Sequence, residues 1–155
     1  MKKYGLTGNP LAHSISPEIH RFLNSKAEYK LYQTSDIKDE FLNNLCKLDG
    51  FNVTVPYKKD IIEYLDEVSD EVKLYNACNT VKIKDNKAYG YKTDVSGFLS
   101  CFERKGISFL NKNVLVSGAG GVASMMATEC LIKGANLFVT ARNEEKAKSL
   151  IEYSY

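Results

Sequence analysis

The stretch Asn52-Val-Thr-Val-Pro-Tyr-Lys58 decides how the chain is read. Phe51, Val53 and Val55 alternate with Asn52 and Thr54, the period-two pattern of a strand with two unlike faces. Pro56 has no N–H to give to a ladder, so pairing is expected to stop there. Lys58 then stands at the C-terminal lip of the strand, with Asn52 and Thr54 sharing one face behind it. In open α/β sheets that lip is where ligands bind. Asn52 donates and accepts, Thr54 offers a hydroxyl, and Lys58 is a movable cation with three donors. Such a set suits a small polyol or hydroxy acid. The same residues also read as a core strand capped by a solvated lysine, because proline after a strand is common.

Working outward, strands and helices alternate. Residues 3–8 read as a strand that Gly8-Asn9-Pro10 breaks. A helix over 16–26 follows, with Ser16 as N-cap, Pro17 at the first helical position, and Ile19, Phe22 and Leu23 on one face. Residues 29–33 form the next strand. An amphipathic helix over 36–48 buries Ile37, Phe41, Leu45 and Leu48. Beyond Lys58, helices are expected over 59–65 and 66–74, then strands over 79–84 and 88–92 joined by a tight turn at Asp85 and Asn86. This order predicts an α/β fold whose N-terminal part is a mainly parallel, three-layer α/β/α domain. The hairpin requires one antiparallel strand in it.

After a helix over 94–106, with Phe98, Leu99 and Phe102 inward, the pattern restarts. A strand over 113–117 runs into Gly118-Ala-Gly-Gly-Val-Ala123, a helix follows to Gly134, then a strand over 136–141 and a helix over 144–152. The predicted domains are therefore residues 1–98 and 99–155. The second is an incomplete Rossmann-type dinucleotide-binding domain, with two strands where such domains have about six. The ending, residues 152–155, shows no cap or packing logic.

Composition excludes several classes. The chain has 155 residues, 44% hydrophobic and 26% charged, as expected of a globular protein with a buried core. A net charge of +2 with no basic stripe calls for neither nucleic acid nor a membrane surface. No apolar run reaches transmembrane length, and no apolar segment follows the basic N-terminus as in a signal peptide. Cys46, Cys78, Cys101 and Cys130 are widely spaced and read as reduced thiols of a cytoplasmic protein. The two histidines, His13 and His20, read as loop and helix-surface residues, and no metal-ligand cluster is expected.

The glycine stretch carries the second chemical signal. Gly118 permits a tight turn, Gly120 lets the backbone approach a pyrophosphate, and Ala123 allows close packing of helix on strand. Ala119, Gly121 and Val122 complete the loop, and the helix start offers N–H groups to phosphate. Read blandly, it is an ordinary strand-to-helix turn. At the end of the next strand, where an NAD site usually has an acidic residue, the chain has Arg142. An arginine there suits a 2′-phosphate and favours NADP, unless it is a solvated helix-start residue.

Five stretches in register resemble the shikimate dehydrogenase family. They are residues 8–20, the Asn52–Lys58 segment, Ala77-Cys-Asn-Thr80, Gly90-Tyr-Lys-Thr-Asp94, and Gly118–Ala123 followed by Arg142. The resemblance implies NADPH-dependent, reversible reduction of 3-dehydroshikimate to shikimate, in the chorismate route to aromatic amino acids. It implies that Ser14 and Ser16 hold the substrate carboxylate, although Ser16 also suits capping. Asn52, Thr54 and Asn79 would hold ring hydroxyls. Lys58 and Asp94 would be the catalytic pair, with Asp94 otherwise a carboxylate at a helix N-terminus. The expected partner is the small substrate, and a homodimer is left open.

The sequence departs from the family at Lys92, where asparagine is usual, and at Val95 and Asn76, where glycine is usual. Ala141 and Asn143, beside Arg142, also differ from the usual residues. The larger departure is length, because the rest of the dinucleotide domain has no counterpart. The alternative expectation is a truncated, inactive remnant or fragment that at most binds a shikimate- or quinate-like ligand.

Overall fold

In the computed structural model, which describes residues 1–152, the chain runs β1 (Lys3–Gly8), α1 (Ser16–Leu23), β2 (Glu28–Gln33), α2 (Ile37–Asn43), β3 (Gly50–Val53), β4 (Glu67–Val68), α3 (Asp70–Tyr75), β5 (Thr80–Lys84), β6 (Lys87–Tyr91), α4 (Thr93–Glu103), β7 (Asn113–Ser117), α5 (Gly121–Ile132), β8 (Asn136–Thr140) and α6 (Glu144–Glu152). Residues 153–155, the end of the expected second domain, lie outside the described residues. Two compact units meet in sequence between Thr93 and Asp94.

The first unit is built on one sheet in the order β2-β1-β3-β5-β6-β4. Five strands run one way and β5 runs against them, paired antiparallel to both β3 and β6. Asp85 and Asn86, both at positive φ (53° and 58°), form the two-residue turn that joins β5 to β6. Period-two alternation then sorts the side chains. Phe51, Val53, Val81 and Ala88 point to one face, where Ile37, Phe41, Leu45, Ile61 and Val72 cover them. Burial of these apolar side chains is the main stabilising term of the unit. The opposite face carries Tyr4, Tyr29, Asn52, Thr80, Lys82 and Tyr89, aligned across the strands, and α1 lies against β2 there through His20.

Several expectations change. The helix over 36–48 is only α2, capped by Asp36, whose carboxylate accepts from the N–H groups of Lys38 and Asp39 at 2.9 and 3.1 Å. A 3-10 turn, Leu45–Lys47, continues it and buries Leu45 completely. The helix over 59–65 is 3-10 at Asp60–Tyr64, and the expected helix over 66–74 yields to the short β4 before α3. Two residues suffice for β4 because Glu67 and Val68 pair with Tyr89 and Gly90 at the sheet edge. β3 stops at Val53, yet its exit stays tied to β1: Thr54 donates its N–H to Thr7 and Asn9 donates to Val55. Asn76 adopts a left-handed conformation (φ 45°) at the end of α3, as an asparagine in a glycine position can.

The apolar face of α1, Ile19, Phe22 and Leu23, lies at the surface. No residue of the helix is buried, and Phe22 is 90% exposed. The reason lies in its other stripe. Ser16 and His20, one turn apart, face Tyr29, so the apolar stripe points away from the sheet. His20 is therefore no plain surface residue. Its ring stacks on Tyr29 at 3.9 Å, and burial lowers its pKa.

The second unit carries the parallel pair β7 and β8, with α5 between them in sequence and α6 after them. Phe98 and Phe102 of α4 pack on Phe109, with ring centroids 5.9 and 4.7 Å away, as the apolar stripe of that helix predicts.

Candidate functional site

The sheet topology brings the polar side chains to one rim. β1 and β3 end at the edge where the antiparallel β5 begins, and Asn52, Thr80 and Tyr91 are neighbours across three strands. The loop leaving β1 supplies Ser14 and Ser16. The turn leaving β3 supplies Thr54 and Lys58. The segment entering β5 supplies Asn79. Six of the seven residues read from sequence as substrate ligands thus come from chain segments at this rim; the seventh, Asp94, the second residue of α4, belongs to the second unit.

A hydrogen-bond network crosses the sheet among them. The Tyr29 hydroxyl donates to Asn52 Oδ1 at 2.9 Å and also meets the Ser16 hydroxyl. Asn52 Nδ2 donates to Thr80 Oγ1 at 3.2 Å and to the Asn79 carbonyl at 3.4 Å. Thr80 Oγ1 and Asn79 Nδ2 lie 3.2 and 3.1 Å from Thr93 Oγ1, and the Thr93 N–H donates to Asn79 Oδ1 at 2.9 Å. Burial pushes the Tyr29 phenol up to about 12, and the Ser16 bond offsets part of that rise. Tyr29, Thr80 and Thr93 were not picked out individually from sequence. Only the strand pairing makes them neighbours of Asn52.

Ser16 differs from expectation. It is the first residue of α1, behind an N-cap at Ile15 that makes no side-chain cap bond. The Ser16 N–H donates to Ser14 Oγ at 3.3 Å, and the Ser16 hydroxyl lies beside the Tyr29 phenol. The two serines thus sit together at the mouth of β1.

Lys58 lies in the turn after Pro56, partly buried, and its carbonyl accepts from the Cys78 N–H at 2.7 Å. That bond pins the turn to the segment before β5. Lys92 is 8% exposed, with its ammonium 5.7 Å from the centre of the Tyr75 ring. Its apolar stem and the aromatic face make burial of the cation tolerable. Burial pushes the Cys78 thiol up, and the backbone at Thr80 and Tyr91 with the charges of Lys92 and Lys58 pull it part of the way back. Cys78 is thus a neutral core thiol rather than a nucleophile. All four cysteines are free.

Thr54 depends on Gly8. A side chain at Gly8 would collide with Thr54 Cγ2 and come within 2.9 Å of the Val55 carbonyl. Gly8→Ala is therefore expected to cost about 1–3 kcal/mol of unfolding free energy in a urea titration. An unchanged midpoint would show that the β1 and β3 exits do not press on each other.

A cleft of about 620 Å³ opens on the same sheet face, lined among others by Tyr4, His20, Tyr29, Asn52, Thr80 and Lys82. It touches the network at Tyr29, Asn52 and Thr80 but does not include Ser14, Ser16, Thr54 or Lys58. The convergent donors, rather than this cleft, define the candidate site.

In the second unit, Gly118 takes φ +125°, a conformation side chains rarely adopt, and its N–H donates to the Thr140 carbonyl at 2.7 Å. Gly120 caps α5, and a Cβ added at Gly120 or Gly121 would meet no atom within 4 Å. Ala123 lies 3.7 Å from where a Gly118 Cβ would be. Arg142 is exposed in the short connection between β8 and α6. A left-handed glycine, open space over the glycine loop and a twelve-residue helix behind it suit a pyrophosphate. An exposed arginine after the second strand suits a further phosphate.

Comparison with known proteins agrees. Residues 6–81 match the Shikimate dehydrogenase substrate binding domain. The chain is 39% identical to the NADP(+) shikimate dehydrogenase of Methanococcus maripaludis strain C7, over 97% of this chain and 56% of that one. It is 41% identical to that of Caldicellulosiruptor saccharolyticus, over 98% and 58%. The crystal structure of shikimate dehydrogenase from Aquifex aeolicus superposes with a TM-score of 0.86 at 36% identity, covering 99% of this chain and 60% of that one. The Thermus thermophilus enzyme in complex with NADP(H) and shikimate gives 0.85 at 31% identity, covering 99% and 61%. The chain spans somewhat more than half the length of these curated relatives.

Proposed function

The chain belongs to the shikimate dehydrogenase family, and from that premise we propose that it recognises shikimate and carries the phosphate-binding start of an NADP site. Residues 1–98 serve as the substrate domain and residues 99–155 as the first part of a Rossmann-type cofactor domain. The reaction is the reversible, NADPH-dependent reduction of 3-dehydroshikimate to shikimate. The observation that carries this reading is the single rim that gathers Ser14, Ser16, Asn52, Thr54, Lys58 and Asn79 from three separate chain segments.

Each residue has a physical task. Ser14 and Ser16 donate to the substrate carboxylate. Asn52, Thr54 and Asn79 meet the ring hydroxyls, each side chain being able to donate as well as accept. When bound, the cofactor supplies the hydride. Lys58 protonates the oxygen on which negative charge grows as the carbonyl is reduced, and takes that proton back in the oxidation direction. Asp94 orients the ammonium and relays the proton. Gly118, Ala119, Gly120, Gly121, Val122 and Ala123 receive the pyrophosphate through backbone N–H groups, and Arg142 takes the 2′-phosphate. The place of action is the cytoplasm.

A second reading rests on the share of the relatives that the chain spans. In it, the chain binds shikimate without turning it over. One experiment covers both readings: thermal unfolding with and without shikimate, beside shikimate oxidation followed by the absorbance of the reduced cofactor. Saturating shikimate at 100 times its dissociation constant is expected to add about 2.7 kcal/mol of stability. Protection with turnover supports the enzyme, and protection alone supports the binding remnant. A melting curve that shikimate leaves unmoved would remove the substrate assignment.

A further inference from the structure

Tyr29 has no task in the reaction as written, yet it joins two parts of the pocket. Its backbone is on β2, and its hydroxyl reaches Asn52 on β3, two strands away. Strands lie about 4.8 Å apart, so the bridge spans roughly 10 Å over β1. Gly50, which pairs with Tyr4 beneath it, offers no side chain in the way. The ring is fixed by its stack on His20 of α1.

We propose that Tyr29 is a positioning residue: its ring rests on His20 of α1, and its hydroxyl fixes the orientation of the Asn52 amide on β3, at the hydroxyl end of the substrate pocket. The inference rests on the shikimate reading above. An amide side chain has two faces that differ only in which atom donates. The Tyr29 O–H, by donating to Asn52 Oδ1, turns Nδ2 toward Thr80 and the Asn79 carbonyl. The rest of the network, through Thr80 to Asn79 and Thr93, inherits that choice. The phenol keeps its own proton across the whole neutral range, so Asn52 is held in one orientation there.

The test is Tyr29→Phe, which keeps the ring on His20 and removes only the oxygen. Shikimate affinity, read by calorimetry on the whole chain, is expected to fall about tenfold, the worth of one hydrogen bond. In an Asn52→Ala background the same change is expected to cost nothing further, because Tyr29 acts through Asn52. An Asn52→Leu background provides the same cycle if Asn52→Ala does not fold. Undiminished affinity, or equal losses in all backgrounds, would overturn the proposal. If the parent chain itself fails to bind shikimate, the shikimate reading is what fails. The tie is then judged without ligand, from hydrogen exchange of the Asn52 side-chain amide. Exchange accelerated at least about tenfold in Tyr29→Phe supports it, and unchanged exchange overturns it.

Discussion

Replacing Lys58 by alanine is expected to lower shikimate oxidation at least about a hundredfold, since a positioned general acid–base contributes 10²–10⁴ in rate. Shikimate binding should weaken far less, because the serines and the Asn52 network hold the rest of the ring. The fold should persist. The bond that fixes this turn uses the Lys58 carbonyl, accepting from Cys78 at 2.7 Å, and the substitution leaves it in place. Lys58→Arg should fail to restore the rate, because a guanidinium keeps its charge but does not give up a proton near neutrality. The measurement is the initial rate of reduced-cofactor formation with saturating shikimate, beside the melting temperature of each variant. A Lys58→Ala chain that turns over at the parental rate would take Lys58 out of the mechanism. A rate lost together with the fold would be answered by Lys58→Met, which keeps most of the apolar stem.

Arg142→Ala is expected to raise the dissociation constant for NADP by about ten- to a hundredfold and to leave that for NAD nearly unchanged. Charge-assisted hydrogen bonds to a phosphate are worth about 1.5–3 kcal/mol, and only NADP carries the 2′-phosphate. Because Arg142 is exposed, its removal should not disturb folding. Salt should weaken NADP binding to the parent chain and have less effect in the variant. Equal losses for both cofactors, followed by fluorescence of the reduced nucleotides, would undo the phosphate assignment.

Much of this fold was legible in the chain itself. The alternation around Asn52, the left-handed pair Asp85 and Asn86, and the glycine turn at Gly118 are local devices. Each depends on backbone sterics or on a period of two, which a linear sequence records directly. The site was legible for the same reason where its residues flank such devices, as Lys58 follows Pro56 and Arg142 follows β8. What went unread was non-local. That Ile19, Phe22 and Leu23 share one face of α1 was legible, but not which way that face turns. The other stripe won, since Ser16 and His20 meet Tyr29 across the sheet. The first residues of the helix expected at 66–74 became β4, because β6 offers an open edge at Tyr89 and Gly90, and the helix begins only at Asp70. Ser16 was read as an N-cap or a carboxylate ligand; the N-cap is Ile15, and Ser16 is the first residue of α1.

From the sequence alone came the alternating strands and helices, the antiparallel hairpin, the glycine loop and the residue types at each ligand position, because these follow from short-range sterics and hydrogen-bonding capacity. Tertiary structure alone decided the strand order β2-β1-β3-β5-β6-β4 and, with it, which side chains touch. Asn52, Thr80 and Tyr29 are distant in sequence and acquire a common network only when β5 reverses beside β3 and β2 closes on β1. A hydrogen bond needs its partners within about 3 Å, and no pattern along one strand states what the neighbouring strand will be.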